Sequence, residues 1–182
     1  APEAWQGLPA NALNVTVAVI DSGVCVDHPD LQGRVLPGWD YLENDAQPQD
    51  TYGHGCSIAG IIAANADDVG ITGVAPNALI LPLRVLDSQG IGTYSDVATA
   101  IVFAADNGAK IINLSLGGVN PSNLLEQAVN YAAGKGVTIV AAAGNTSSEQ
   151  VLYPAAYEPV IAVGSVDQSL AVSGFSSRGA GV

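Results

Sequence analysis

Methionine is absent from the 182 residues, and cations are scarce: five Lys and Arg stand against 17 Asp and Glu, for a net charge of -12. Nucleic acid is held by clustered Lys and Arg against phosphate, so this balance excludes a nucleic-acid partner. No apolar run approaches the length that crosses a bilayer, which excludes a membrane-spanning helix and argues against a membrane partner. Aromatic residues make up only 5% of a chain that is 48% hydrophobic. Ala, Val, Ile and Leu must therefore fill the core. Cysteine is limited to Cys25 and Cys56, a pair without the spacing of a zinc site or a redox motif. They are read first as two small buried hydrophobes, with a disulfide between them as the alternative. No repeat, linker or low-complexity tract divides the chain. A nucleotide site would need a Gly-rich phosphate turn after the first strand, but Val19-Ile20-Asp21-Ser22-Gly23 puts a carboxylate there. The opening Ala1-Pro2-Glu3-Ala4 carries no signal peptide and reads as a processed or trimmed terminus.

What is present is alternation. Short β-branched apolar runs at Val15–Ile20, Leu79–Val85, Lys110–Leu114, Val137–Ala142 and Val160–Val163 predict strands. Their near-continuous apolar character suits parallel strands covered on both faces. Helices are expected between them at His54–Ala64, Ser95–Asn107 and Ser122–Gly134. In the second, Val97, Ala98, Ile101, Val102, Ala104 and Ala105 make a wide apolar face, and Asn107-Gly108 supplies the stop. The expected fold class is α/β: one domain over residues 1–182, three layers deep, around a mostly parallel sheet. In such folds ligands gather at the carboxyl ends of the strands. Asp21, Ser115–Gly118 and Ala143–Asn145 all fall at such ends, so residues distant in sequence are expected on one rim.

Peptide-bond hydrolysis needs a nucleophile, a base for its proton and donors for the developing oxyanion. A histidine suits the base role, provided an acid fixes its tautomer. Asp21 ends an apolar strand and His54 opens a helix, so the two can fill these parts. Taken singly, Asp21 could merely cap a turn and His54 could merely cap its helix.

The motifs taken in order are more specific. Asp21-Ser22-Gly23, His28-Pro29-Asp30-Leu31, Gly53-His54-Gly55 and Ala59-Gly60 come first. Gly73-Val74-Ala75-Pro76, Ser115-Leu116-Gly117-Gly118 and Ala141-Ala142-Ala143-Gly144-Asn145 follow, then Tyr153-Pro154-Ala155, Ile161-Ala162-Val163-Gly164 and Phe175-Ser176-Ser177. From Val15 to Ser177 this series resembles the subtilisin-like serine proteases, the subtilase family. The resemblance implies a subtilisin-like α/β/α domain, and a serine endopeptidase whose partners are peptide or protein substrates. It gives Asp21 the orienting role, His54 the role of general base, and the Asn145 side-chain amide an oxyanion contact. Ser115, Leu116, Gly117 and Gly118 would form one wall of the primary specificity pocket, and Ala142, Ala143 and Gly144 the other. Gly90, Ile91 and Gly92 would form a second substrate-pairing strand, with Tyr94 near a more distal subsite. Glycines 117 and 118 would leave room for a large apolar or aromatic substrate side chain. The acidic turn after the histidine's helix matches the family's calcium loop. Asp30 and Asp67 would give carboxylates, and Asn65, Val69 and Ile71 carbonyl oxygens, to a structural calcium ion. With the acidic, Lys-poor composition, the resemblance implies a secreted protein, for which a propeptide is a further expected partner.

Two departures stand out. The family reads His-Gly-Thr-His where this chain has His54-Gly55-Cys56-Ser57. The family's Gly-Thr-Ser-Met-Ala segment, whose serine attacks the substrate, has no counterpart before Val182, and none of Ser165, Ser169, Ser173, Ser176 or Ser177 sits in a comparable motif. The chain is therefore expected to be a subtilase domain lacking its C-terminal portion, inactive or nearly so alone and completed by a complementary C-terminal fragment. The alternative is a catalytically silent relative that binds peptides along the same strands.

Overall fold

The computed structural model describes residues 15–179 and 181–182, so the Ala1–Ala4 start lies outside the described residues. Strands β1 (Thr16–Asp21), β2 (Trp39–Asp40), β3 (Leu79–Arg84), β4 (Ile111–Leu114), β5 (Thr138–Ala142) and β6 (Val160–Val163) form one sheet in the order β2-β3-β1-β4-β5-β6. Every neighbouring pair is parallel. Parallel neighbours need long crossovers. Helices α1 (His54–Ala63), α2 (Tyr94–Asp106) and α3 (Asn123–Gly134) lie in three of them. The five expected strands and three expected helices all form, with ends shifted by a residue at most. Two short elements were not foreseen, the edge strand β2 and a 3-10 turn at Pro29–Leu31, because neither is long enough to display a period.

Alternation along each strand assigns the layers. Ala18, Ile20, Leu83, Ile112, Leu114 and Ile139 pack with Val97 and Ile101 of α2 and Leu125 and Val129 of α3. Val17, Val19 and Ile80 point to the opposite face, where Ala59 and Ala63 of α1 cover them. Each large aliphatic side chain so buried contributes about 1.5–3 kcal/mol. The helix α1 side of the sheet is closed over β1 and β3 and open over β6, where Ile161 is 55% and Val163 48% exposed. Val166, Val172 and Phe175 in the segment beyond are exposed as well.

Helix starts differ in a way that matters for the site. Thr93 and Ser122 cap α2 and α3 in the usual manner, accepting from the Asp96 and Leu125 amides. Helix α1 begins instead after Gly53, whose φ of 94° places it in the left-handed region and which gives no side-chain cap. Its first turn is held from outside, by Asp50 and Ser22.

The cysteines depart from their first reading. Cys25 and Cys56 are disulfide-bonded, with Cα atoms 5.2 Å apart, and both are half-buried rather than part of the core. Contact between Asp21 and His54 brings the segments that follow them side by side, so cysteines four and two residues downstream come within bonding reach. The bond closes a sequence separation of 31 residues, which on chain entropy is worth roughly 3.5–4 kcal/mol.

Candidate active site

Asp21 is the last residue of β1 and is fully buried. Its Oδ1 accepts from the Ser22 amide at 2.7 Å. Both carboxylate oxygens face His54 Nδ1, at 2.8 and 2.9 Å. A buried carboxylate on Nδ1 holds the proton there and leaves Nε2 as the basic nitrogen. Among the described residues no group bonds Nε2, and the His54 side chain is 40% exposed. The pair can therefore take a proton from a group presented to Nε2, with Asp21 stabilising the imidazolium.

The backbone around His54 is fixed on several sides. Asp50 Oδ1 accepts from the Tyr52 and Gly53 amides, each at 2.8 Å, and its Oδ2 from the Cys56 amide at 2.8 Å. Ser22 Oγ accepts from the Gly55 amide at 3.0 Å. A Cβ at residue 55 would collide with the Gly23 carbonyl oxygen, so glycine is what lets the first turn of α1 approach the Asp21 loop. Farther out, Arg84 sits opposite Asp21 in the β1–β3 register. Its Nη1 donates to buried Asp40 at 2.6 Å, and its Nη2 to Thr51 Oγ1 at 3.0 Å, which ties the chain entering His54 to the sheet.

A cleft of about 400 Å³ opens beside the imidazole. Gly90, Ile91, Gly92 and Tyr94 line one side of it and Ser115, Leu116 and Gly117 another, so seven of the residues expected to bind substrate converge with His54. Asp87 closes the 87–91 loop by accepting from the Ile91 and Gln89 amides, and those two bonds hold its carboxyl below the usual range. Tyr52, Leu86, Thr93 and Val97 also line the cleft and were not anticipated. Tyr52 stands two residues before the histidine, its ring 6.4 Å from the imidazole. Its place in the sequence was the only available signal.

Asn145 and Ala142–Gly144 share the carboxyl rim but do not line that cleft. Gly144 adopts φ 113°, and its carbonyl oxygen accepts from the Ser177 amide at 2.8 Å. Ser177 Oγ accepts in turn from the Thr146 amide at 3.3 Å, so this buried serine braces the turn that carries exposed Asn145. Gly118 pairs with Tyr153 through two backbone bonds of 2.9 Å. The room that glycines 117 and 118 were expected to leave is occupied: Leu152 packs against Gly117, and the Tyr94 ring against Gly118.

The expected calcium loop folds onto Asp30, whose carboxylate is 9% exposed and accepts from the Ile71 amide at 3.1 Å. Asp67 Oδ1 accepts from the Val69 amide at 3.2 Å, and Asn65 Oδ1 accepts from Arg34 Nε at 2.7 Å. Among the described residues no hydrogen bond reaches the carbonyl oxygens of Asn65, Val69 or Ile71, and no group of three or more His, Cys, Asp or Glu could hold a metal ion. Carboxylates and backbone carbonyls are the donor types that calcium takes, whereas transition metals favour imidazole and thiolate.

The family model described as the subtilase family matches residues 13–182. Thermitase of Thermoactinomyces vulgaris is 49% identical over 180 residues, which is 98% of this chain and 64% of thermitase. A thermophilic serine proteinase of Bacillus sp. (strain AK1) is 52% identical over 164 residues, covering 90% of this chain and 41% of that protein. Among solved structures, a cold-adapted subtilisin-like serine proteinase superposes with a TM-score of 0.85 at 37% identity, covering 92% of this chain and 60% of the other. The chain thus spans between 41% and 64% of the length of these relatives. With the family match extending over nearly the whole of it, the chain belongs to the subtilase family.

Proposed function

We propose that this chain is the acid- and base-bearing part of a secreted subtilisin-like serine endopeptidase. The observation that carries the reading is the buried Asp21 carboxylate on His54 Nδ1, which leaves Nε2 free beside an apolar cleft. His54 takes the proton of a serine hydroxyl as that oxygen attacks the substrate carbonyl, then returns it to the leaving amine. Asp21 keeps the tautomer and stabilises the imidazolium. The Asn145 amide donates to the oxyanion. The Gly90–Gly92 and Ser115–Gly118 segments hold an extended peptide through backbone pairing.

The serine comes from a segment outside these 182 residues, which also covers the open apolar face of β6. Supporting this, no described serine bonds His54 Nε2, and Ile161 and Val163 present bare apolar side chains. Alone, the 182-residue polypeptide hydrolyses peptides very poorly. A propeptide is a further partner. Asp30, Asp67 and the carbonyls of Asn65, Val69 and Ile71 hold a structural calcium ion. Bound there, calcium supplies positive charge that cross-links the loop to the Pro29–Leu31 turn.

The test is peptide hydrolysis by the full-length protein and its Asp21→Asn variant. The proposal expects turnover by the first and a loss in kcat of about 10⁴ in the second, the size seen when the acid of such a triad is neutralised. Saturable peptide binding without turnover would instead establish the silent, peptide-binding reading.

A further inference from the structure

The two segments expected to wall the primary specificity pocket, Ser115–Gly118 and Ala142–Gly144, lie at the carboxyl ends of β4 and β5, which are neighbours in the sheet. Glycine in both walls would normally mean a wide slot between them. Leu152 changes that. A Cβ placed on Gly144 would lie 2.6 Å from Leu152 Cγ and 2.7 Å from its Cδ1. One placed on Gly117 would lie 3.1 Å from Leu152 Cβ and 3.5 Å from its Cδ1. Carbon atoms in good contact sit about 3.5–4.0 Å apart, so the leucine already packs on the bare backbone of both walls. The slot there is one leucine side chain wide, and Leu152 occupies it.

Leu152 is also fixed at its backbone. Its amide donates to Ala143 O at 2.9 Å, on one wall. The next residue, Tyr153, exchanges two backbone bonds of 2.9 Å with Gly118, on the other. Two walls therefore hold the leucine between them, and withdrawing it by a backbone shift would break both sets of bonds. The side chain is half-buried, bordered by glycines rather than locked in the main core.

We propose that Leu152 is a specificity-determining residue that fills the primary pocket, so that the enzyme cleaves after small uncharged residues such as Gly, Ala or Ser and rejects aromatic ones. This rests on the peptidase reading above and adds the class of substrate. A side chain no larger than a methyl or hydroxymethyl group fits above the leucine; a phenyl ring must displace it. Overfilling of this kind acts on kcat/KM, because the misplaced side chain pulls the scissile carbonyl away from the attacking group.

The experiment uses the full-length protein and internally quenched peptides that differ only in the residue before the scissile bond: Ala, Leu or Phe. The expected order is Ala first, with kcat/KM for Phe lower by about tenfold or more. In Leu152→Gly the Phe-to-Ala ratio rises by about tenfold or more, and Leu152→Ala, the milder change, moves it the same way. A wild-type preference for Phe overturns the proposal, as does an unchanged ratio in a folded Leu152 variant. If no peptide is cleaved, it is the peptidase reading that fails. The pocket is then tested by titrating the full-length protein with product-like peptides ending in Ala or Phe while following the Leu152 methyl resonances. Tighter binding of the Ala peptide upholds a filled pocket, and tighter binding of the Phe peptide overturns it.

Discussion

At the scale of single residues, the site depends on groups that nothing but their partners makes useful. Asp21 was legible because an acid ends an apolar strand, and His54 because it opens a helix between glycines. Leu152 was not legible, since a lone leucine in a loop carries no pattern and only the closeness of Gly117 and Gly144 gives it meaning. Arg84 was equally silent inside a strand of otherwise apolar residues, yet its ion pair with buried Asp40 anchors the chain entering His54. Replacing Asp40 with Ala leaves the Arg84 charge buried and unpaired, and is expected to cost about 3–5 kcal/mol, read as a lowered urea midpoint. Tyr41 lies next to that pair, and burial pushes its phenol from 10.0 up to about 12. In the folded chain the phenol stays protonated where the unfolded chain has lost its proton, so stability falls as pH rises through this interval. Tyr41→Phe should flatten the fall in Tm between pH 10 and about 12; an unchanged alkaline slope would show that other groups dominate it.

At the scale of elements, strands and helices with a clear apolar period were readable to within a residue, and those without one were missed. Strand β2 is two residues long and is held by its register with Leu83 and Arg84, a tertiary fact that no local pattern encodes. The cysteines illustrate the same limit. Their nearness is produced by the Asp21–His54 contact, so sequence spacing alone left their pairing open. The disulfide joins the Asp21 loop to the first turn of a helix that lacks its own cap. Reduction should add about 2 Da to the intact mass and lower Tm by several degrees. The same Tm with and without a reductant would mean that Asp50 and Ser22 suffice to hold that turn. For the loop from Asn65 to Ile71, a chelator should lower Tm and added calcium restore it, as for any ligand that binds the folded state alone. Indifference to both would remove calcium from the account.

At the scale of the whole molecule, alternation of strands and helices was enough to give the three-layer parallel architecture and to place Asp21, Ser115–Gly118 and Ala143–Asn145 on one rim. What the sequence could not show is where a layer stops. The second face is closed over β1 and open over β6, because α1 reaches only the former. Bare apolar side chains there, and the exposed Val166, Val172 and Phe175 beyond, are of the sort that recruit a partner or promote self-association. The 182-residue chain should bind a hydrophobic dye and associate as its concentration rises, whereas the full-length protein should do neither. Dye binding of equal strength by both would mean that this face stays bare in the intact protein.

The central claim is that Asp21 and His54 activate a serine lying outside these 182 residues. Fluorophosphonate labelling of the full-length protein, with the modified peptide located by mass, tests it most directly. One labelled serine beyond Val182 is expected, with labelling lost in His54→Ala and no label on the 182-residue chain alone. A label on any serine within the chain, or labelling that survives His54→Ala, would contradict it.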